Sequence, residues 1–241
     1  MKIIGVFFVG CFLLLGLTSC GGQSSGGDKS GALNDGEKIY PFKSIEVEYV
    51  TQTEGMGAKG EGTRTMWIAD YGRRQATLSH DKTAMSIMGH SSETENHTLS
   101  ILDGNDSYSI DLITKTGVKG NVEEMKQMGK VMAASFMTDV KNMSLKDFVE
   151  KNGGTWHGQE SFLGKTCDVF ELMGTRQWHY QGIVLKVEST IGGMKVVEEA
   201  VSIKEDVAIS DDRFKVPEGI TITQAPTMDE MMQMSGTTDE E

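Results

Sequence analysis

The stretch GQESFLGKT, residues 158 to 166, has the residue types of a phosphate-binding loop: glycines, then Lys165 and Thr166. Such a loop cradles phosphate on backbone amides at a helix start, with the lysine reaching the charge. The spacing argues against it. Four residues separate the glycines of that motif, and five lie between Gly158 and Gly164. Thr166 to Leu172 reads TCDVFEL, where Val169 and Phe170 favour a strand over the required helix. Leu163 to Thr166 is therefore expected to be a turn between two strands. The five histidines (His80, His90, His97, His157, His179) form no HExxH and no Cys/His cluster. The oxygen-rich DGNDSYSID lacks the glycine and glutamate of a calcium loop. Met228, Met231, Met232 and Met234 are soft ligands suited to Cu(I), but they sit in an acidic tail whose composition alone accounts for them. No catalytic signature, metal site or cofactor site is expected, and the chain is read as non-enzymatic.

One further chemistry sits at the N-terminus. Lys2 precedes the uncharged run Ile3 to Leu17, too short to span a bilayer but suited to a secretory signal. The run ends Leu17-Thr18-Ser19-Cys20, followed by Gly21. This resembles the bacterial lipobox. The resemblance implies that residues 1–19 are removed and that Cys20 becomes the lipid-bearing first residue. Gly21, in place of the aspartate that retains such proteins at the inner membrane, implies the outer membrane. Residues 20–36 are Gly/Ser-rich and read as a tether. Cys11 leaves with the signal and Cys20 is consumed by lipid. Cys167 then has no disulfide partner and, in an alternating strand, is expected in the core.

Residues 37–225 are long enough for one domain with a core, and residues 226–241 form a Met-rich acidic tail. The net charge of −12 makes nucleic acid an unfavourable partner. Ile45, Val47 and Tyr49 alternate with Glu46 and Glu48, as in a half-buried strand. Thr63 to Ala69, Gln75 to His80 and Ala84 to Met88 are further strands. Thr98 to Leu102 and Tyr108 to Ile113 flank an Asp103-Gly104-Asn105-Asp106 hairpin turn. The period then becomes helical: Val122, Met125, Met128, Met132 and Phe136 share one face behind an Asn121 cap. Ser144 to Lys151 reads as a second, short helix. Strands resume, with hairpin turns at Gln181-Gly182 and Gly192-Gly193, and Phe214 to Gly219 closes the domain. The fold class expected is α+β, antiparallel strands with helices between two blocks.

The order of GKTCDVF, QWHYQGIVLK and FKVPEG resembles the LolA/LolB-like group of outer-membrane lipoprotein carriers. The matching positions are Gly164, Lys165, Cys167, Val169, Phe170, Trp178, Gly182, Leu185, Lys186, Phe214, Pro217 and Gly219. The resemblance covers most of residues 45 to 222. It implies a strongly curved antiparallel sheet, an incomplete barrel, with helices across its concave side and an apolar cavity that takes acyl chains. The chain departs from the group's anchored acceptor, which has an exposed apolar loop: Asp103-Gly104 and Gly192-Gly193 show no exposed Leu or Phe.

Two non-catalytic readings result. In the first, a membrane-anchored protein binds a lipid or other apolar ligand, with Trp67, Met125, Met128, Met132, Phe136 and Trp178 as wall residues. In the second, a structural envelope lipoprotein has a side-chain-filled core and meets a protein partner. The same methionines and tryptophans suit ordinary core packing equally well. A large apolar cavity favours the first reading, and a filled core with an exposed apolar patch favours the second.

Overall fold

A computed structural model describes residues 38–87, 90–123, 143–227 and 230. The signal segment, Cys20 and the tether lie outside the described residues, as do Met125, Met128, Met132, Phe136 and the methionines of the tail.

The α+β expectation is corrected. The described residues form one open sheet of twelve strands with a single short α-helix at its side. In chain order the strands are β1 (Ile45–Gly55), β2 (Ala58–Ala69), β3 (Arg74–Ile87), β4 (His90–Asp103), β5 (Asp106–Asp111) and β6 (Thr116–Asn121). Helix α1 (Leu145–Lys151) follows, then β7 (Thr155–Phe162), β8 (Lys165–Leu172), β9 (Thr175–Tyr180), β10 (Ile183–Ile191), β11 (Met194–Glu205) and β12 (Thr221–Gln224). The spatial order is β12-β6-β5-β4-β3-β2-β1-β11-β10-β9-β8-β7. Neighbours are antiparallel except β12, which runs parallel to β6. Helix α1 packs against β7 and β8, and among the described residues no helix lies across the sheet. Much of the extra strand is polar on both faces. His90 to Asn96 reads HSSETEN, and β3 runs unbroken through Asp81 and Lys82, so alternation gives no signal there.

Tight turns set the register. Met56-Gly57, Leu163-Gly164, Met173-Gly174, Gln181-Gly182 and Gly192-Gly193 each have two consecutive positive φ values, the signature of type I′ hairpins. Residues 163–164 thus join β7 to β8, and Lys165 opens a strand rather than a helix. The Asp103–Asp106 turn and the Gln181-Gly182 and Gly192-Gly193 turns stand where the sequence places them. So does the short helix: Ser144 Oγ accepts the Asp147 N–H at 3.1 Å. Asn121 Oδ1 accepts the Glu123 N–H at 2.8 Å, a cap geometry at the end of β6.

The core is in two parts. One contains Ile45, Val47, Tyr49, Ile68, Cys167, Val169, Trp178, Ile183 and Leu185. The other contains Trp67, Ala76, Leu99, Ile101, Ile110 and Phe214, closed by Ile209, Val216, Ile220 and Ile222. Trp67 and Ile68 are consecutive in β2, so the strand buries both faces, one in each cluster. The Tyr49 hydroxyl donates to the Val184 carbonyl at 3.2 Å although β11 lies between their strands, a reach that requires the sheet to curl.

Candidate functional site

Trp67 and Trp178 are both buried, in different clusters, and do not meet. The Trp67 Nε1–H donates to Glu46 Oε2 at 2.9 Å, and Arg213 lies 4.5 Å from its ring. The Trp178 Nε1–H donates to Glu160 Oε2 at 2.9 Å, with Arg176 and Lys186 beside the ring. Both indoles are packed and have their polar atom satisfied, as core anchors do. The four helical residues expected to complete an apolar wall (Met125, Met128, Met132, Phe136) lie outside the described residues. Cys167 is fully buried, and burial raises its thiol pKa, so it is a core residue and a poor nucleophile.

A polar cluster occupies the face of β1 and β2 that carries Tyr49. Arg64 donates to both oxygens of Glu198, at 2.5 and 3.0 Å, and its guanidinium lies 3.7 Å from the Tyr49 ring centre. Thr51 Oγ1 donates to Glu198 Oε2 at 3.3 Å. Asp81 completes the group: a Cβ at Gly62 would overlap its carboxylate, so glycine makes the space. Burial, then the nearby Glu198 charge, raises the Asp81 pKa, against the weaker pull of His80 and Arg64. For a carboxyl raised in the fold, the associated stability is full below the unfolded value and is lost as pH rises through the folded one. Asp81→Asn is therefore expected to raise the denaturation midpoint at pH 7. The gain should shrink as the pH is lowered toward 4, and a loss at pH 7 would contradict this assignment.

Nearby, the ends of β1 to β4 enclose an open cavity of about 830 Å³. Its walls include Glu54, Glu61, Glu93, Glu95, Lys59 and Lys82, with Gln52, Thr53, Thr83 and Thr94. The volume is in the range of small-molecule sites, roughly 300–1,000 Å³. The lining is polar rather than the apolar surface expected, and carries two more carboxylates than ammonium groups. Glu95 accepts from His80 at 2.7 Å and lies 3.4 Å from Lys82; these contacts, His80 first, hold its carboxyl below the usual range. Sequence reading missed these residues because charges on exposed strand positions are ordinary. The available signal was Gly60 and Gly62, two glycines on one strand face where side chains of β3 close in.

The cavity lies at a distinctive end of the sheet. Pairing of Glu54 with Lys195 and Ser189 with Thr175 brings the β1–β2, β8–β9 and β10–β11 turns to that end, and pairing of Ala58 with Met85 brings the end of β3 there. Met56, Met173 and Ile191 there are 70%, 89% and 63% exposed, and Met194 is also exposed. The expectation that the turns expose no Leu or Phe fails at the β7–β8 turn, where Leu163 is exposed, and at the cavity end methionine and isoleucine are exposed instead. At the opposite end the β2–β3 and β4–β5 turns meet in a charged cluster, where Arg74 lies within 3.6 Å of Asp70, Asp103 and Asp211, while the β7–β8 turn exposes Leu163.

No family model and no curated protein matches the sequence. Several solved structures align along most of their own length. A conserved protein from Thermus thermophilus is 7% identical, with 77% of this chain and 92% of that one covered and a TM-score of 0.44. A DUF1329 family protein from Desulfovibrio piger is 14% identical, with 73% and 90% covered and a TM-score of 0.26. An outer membrane lipoprotein-sorting protein domain from Vibrio parahaemolyticus is 8% identical, with 71% and 88% covered and a TM-score of 0.27.

Proposed function

We propose that the protein is a non-catalytic, lipid-anchored binding protein of the bacterial envelope whose ligand is an amphiphile. The observation that carries this reading is the polar cavity of about 830 Å³ opening at the end of the sheet that bears Met56 and the other exposed apolar turns. A molecule with a polar head and an apolar chain matches both surfaces. The excess of carboxylates in the walls disfavours an anionic head and suits an amine-bearing or zwitterionic one. Wholly apolar ligands match less well, because the cavity walls would lose water from charged groups without replacing it. The anchor at Cys20 and an outer-membrane location follow from the lipobox resemblance. The structural, partner-binding reading draws support from the same exposed turns and from the two filled cores.

The test is calorimetric titration of residues 21–241, which contain every described strand, with lysophosphatidylethanolamine below its micellar concentration. Saturable one-site binding is expected. Ala84 lines the cavity on an exposed strand position, so Ala84→Trp fills space while keeping strand propensity. That variant should bind at least tenfold more weakly, about 1.4 kcal/mol. Equal affinity in wild type and variant would place the ligand elsewhere.

A further inference from the structure

The hairpin turns at the cavity end, which the apolar chain of the proposed ligand would also meet, share a further property. In the sheet order, the β3–β4, β1–β2, β10–β11 and β8–β9 hairpins are consecutive neighbours. The turns of the last three therefore form a row, spaced by two strands each, about 10 Å. The sequence through each of these three is uncharged: Gly55 to Ala58, Ser189 to Met194 and Leu172 to Thr175. Charges resume immediately behind them, at Glu54, Lys59, Glu171, Arg176, Glu188 and Lys195. The turns also touch: a Cβ on Gly193 would lie 3.5 Å from Met56 Cγ, and the Thr190 N–H meets the Gly174 carbonyl at 3.5 Å. Tight two-residue hairpins satisfy their backbone within the ladder, so what they present outward is side chain.

We infer that this row of turns is a bilayer-docking edge, inserting Met56, Met173, Ile191 and Met194 into the headgroup boundary of a phospholipid membrane. The shape selects the occupant. A specific protein partner needs roughly 800 Å² of continuous complementary surface on each side. Four exposed side chains on three narrow, abutting turns do not supply that surface. A fluid interface makes no such demand, since each apolar side chain that enters it contributes independently. Electrostatics narrow the membrane further. With a net charge of −12 the protein is repelled by an anionic surface, so a zwitterionic one is preferred. Chain reach allows the edge to meet the membrane that holds the anchor. Residues 38–44 enter β1 at the opposite end of the sheet, and the 11 residues of β1 span ~36 Å. Residues 39–44 are bonded to the sheet end, and the chain from Cys20 to Lys38 can extend to ~60 Å.

The inference does not depend on the cavity ligand, and one experiment separates them. Residues 21–241, without the lipid, are floated with vesicles of phosphatidylethanolamine and phosphatidylcholine. Wild-type chain is expected to float. Met56→Ser, Met173→Ser and Ile191→Ser combined should lower the vesicle-bound to free ratio at least tenfold, while the unfolding midpoint stays within a degree or two because all three side chains are exposed. Ile113→Ser with Val201→Ser, each about half exposed at other places, should change nothing. Ala84→Trp should also float like wild type, even though its cavity is closed. Wild-type chain that stays with the soluble fraction overturns the inference, as does a turn variant that floats equally well. So does a turn variant whose only effect is to abolish self-association, which would make a second copy the occupant.

Discussion

Trp67→Ala and Trp178→Ala are each expected to lower the unfolding free energy by about 3–5 kcal/mol, the range for deleting a buried large aromatic. Trp67 is 5% exposed among Ala76, Leu99, Ile101, Ile110 and Phe214; Trp178 is 6% exposed among Val169, Ile183 and Leu185. Each truncation removes the apolar contacts, opens a cavity that its strand neighbours cannot fill, and leaves a carboxylate without one of its donors: Glu46 in one case, Glu160 in the other. The size of the loss separates core from ligand wall. A tryptophan lining an empty site has few partners, and its truncation would cost under about 1 kcal/mol while reducing ligand affinity. Chemical denaturation of both variants, with amphiphile titration on the same samples, reads the two quantities together. A small stability loss with weakened binding would restore these residues to the site and contradict the packing described here.

The next largest effect is one of pH. Burial lowers the His179 pKa to about 4 from the ordinary 6.5, partly opposed by the Asp168 charge. Its Nε2 pairs with Gln177 Oε1 at 2.9 Å, and its ring lies 4.7 Å from that of Phe170. The native state thus holds this imidazole neutral where the unfolded chain would protonate it. The sign follows: stability is full above pH 6.5 and falls as the pH drops toward about 4. The total loss from this one group is of order 3 kcal/mol at most. His179→Gln keeps a neutral side chain with a hydrogen-bonding amide and cannot titrate. Denaturant midpoints of wild type and variant should converge between pH 6.5 and 4.5, the variant having the shallower slope. Parallel curves would mean that His179 titrates normally in the fold.

Local physics was the legible part of the fold. Ser144 with Asp147 announces a helix cap, and Asp103-Gly104, Gln181-Gly182 and Gly192-Gly193 announce hairpins, because each depends on residues within reach of one another. Cys167 was legible as core from alternation alone. The fold class was not, because the fold's extra length lies in strands such as His90 to Asn96, whose polar faces carry no period, and in β6 (TGVKGN), rich in glycine. Nor does any local signal pair β1 with β11, an association of segments about 150 residues apart. The candidate site was invisible for the same reason. Glu54, Lys59, Lys82 and Glu95 are ordinary exposed charges until four strands bring them around one cavity. The apolar turns were overlooked because Met56 and Met173 do not stand out singly; their meaning comes from the register that aligns the hairpins.

An amphiphile held at the turn end of the sheet should remain bound through purification. The most direct measurement is mass spectrometry of organic extracts from residues 21–241, secreted into the envelope under a signal without a lipobox and purified without detergent. Wild-type protein is predicted to release an amphiphile with an amine-bearing or zwitterionic head at close to one molecule per chain, and Ala84→Trp protein to release much less. Extracts with no stoichiometric amphiphile, or with equal amounts from both proteins, would rule out an amphiphile in this cavity.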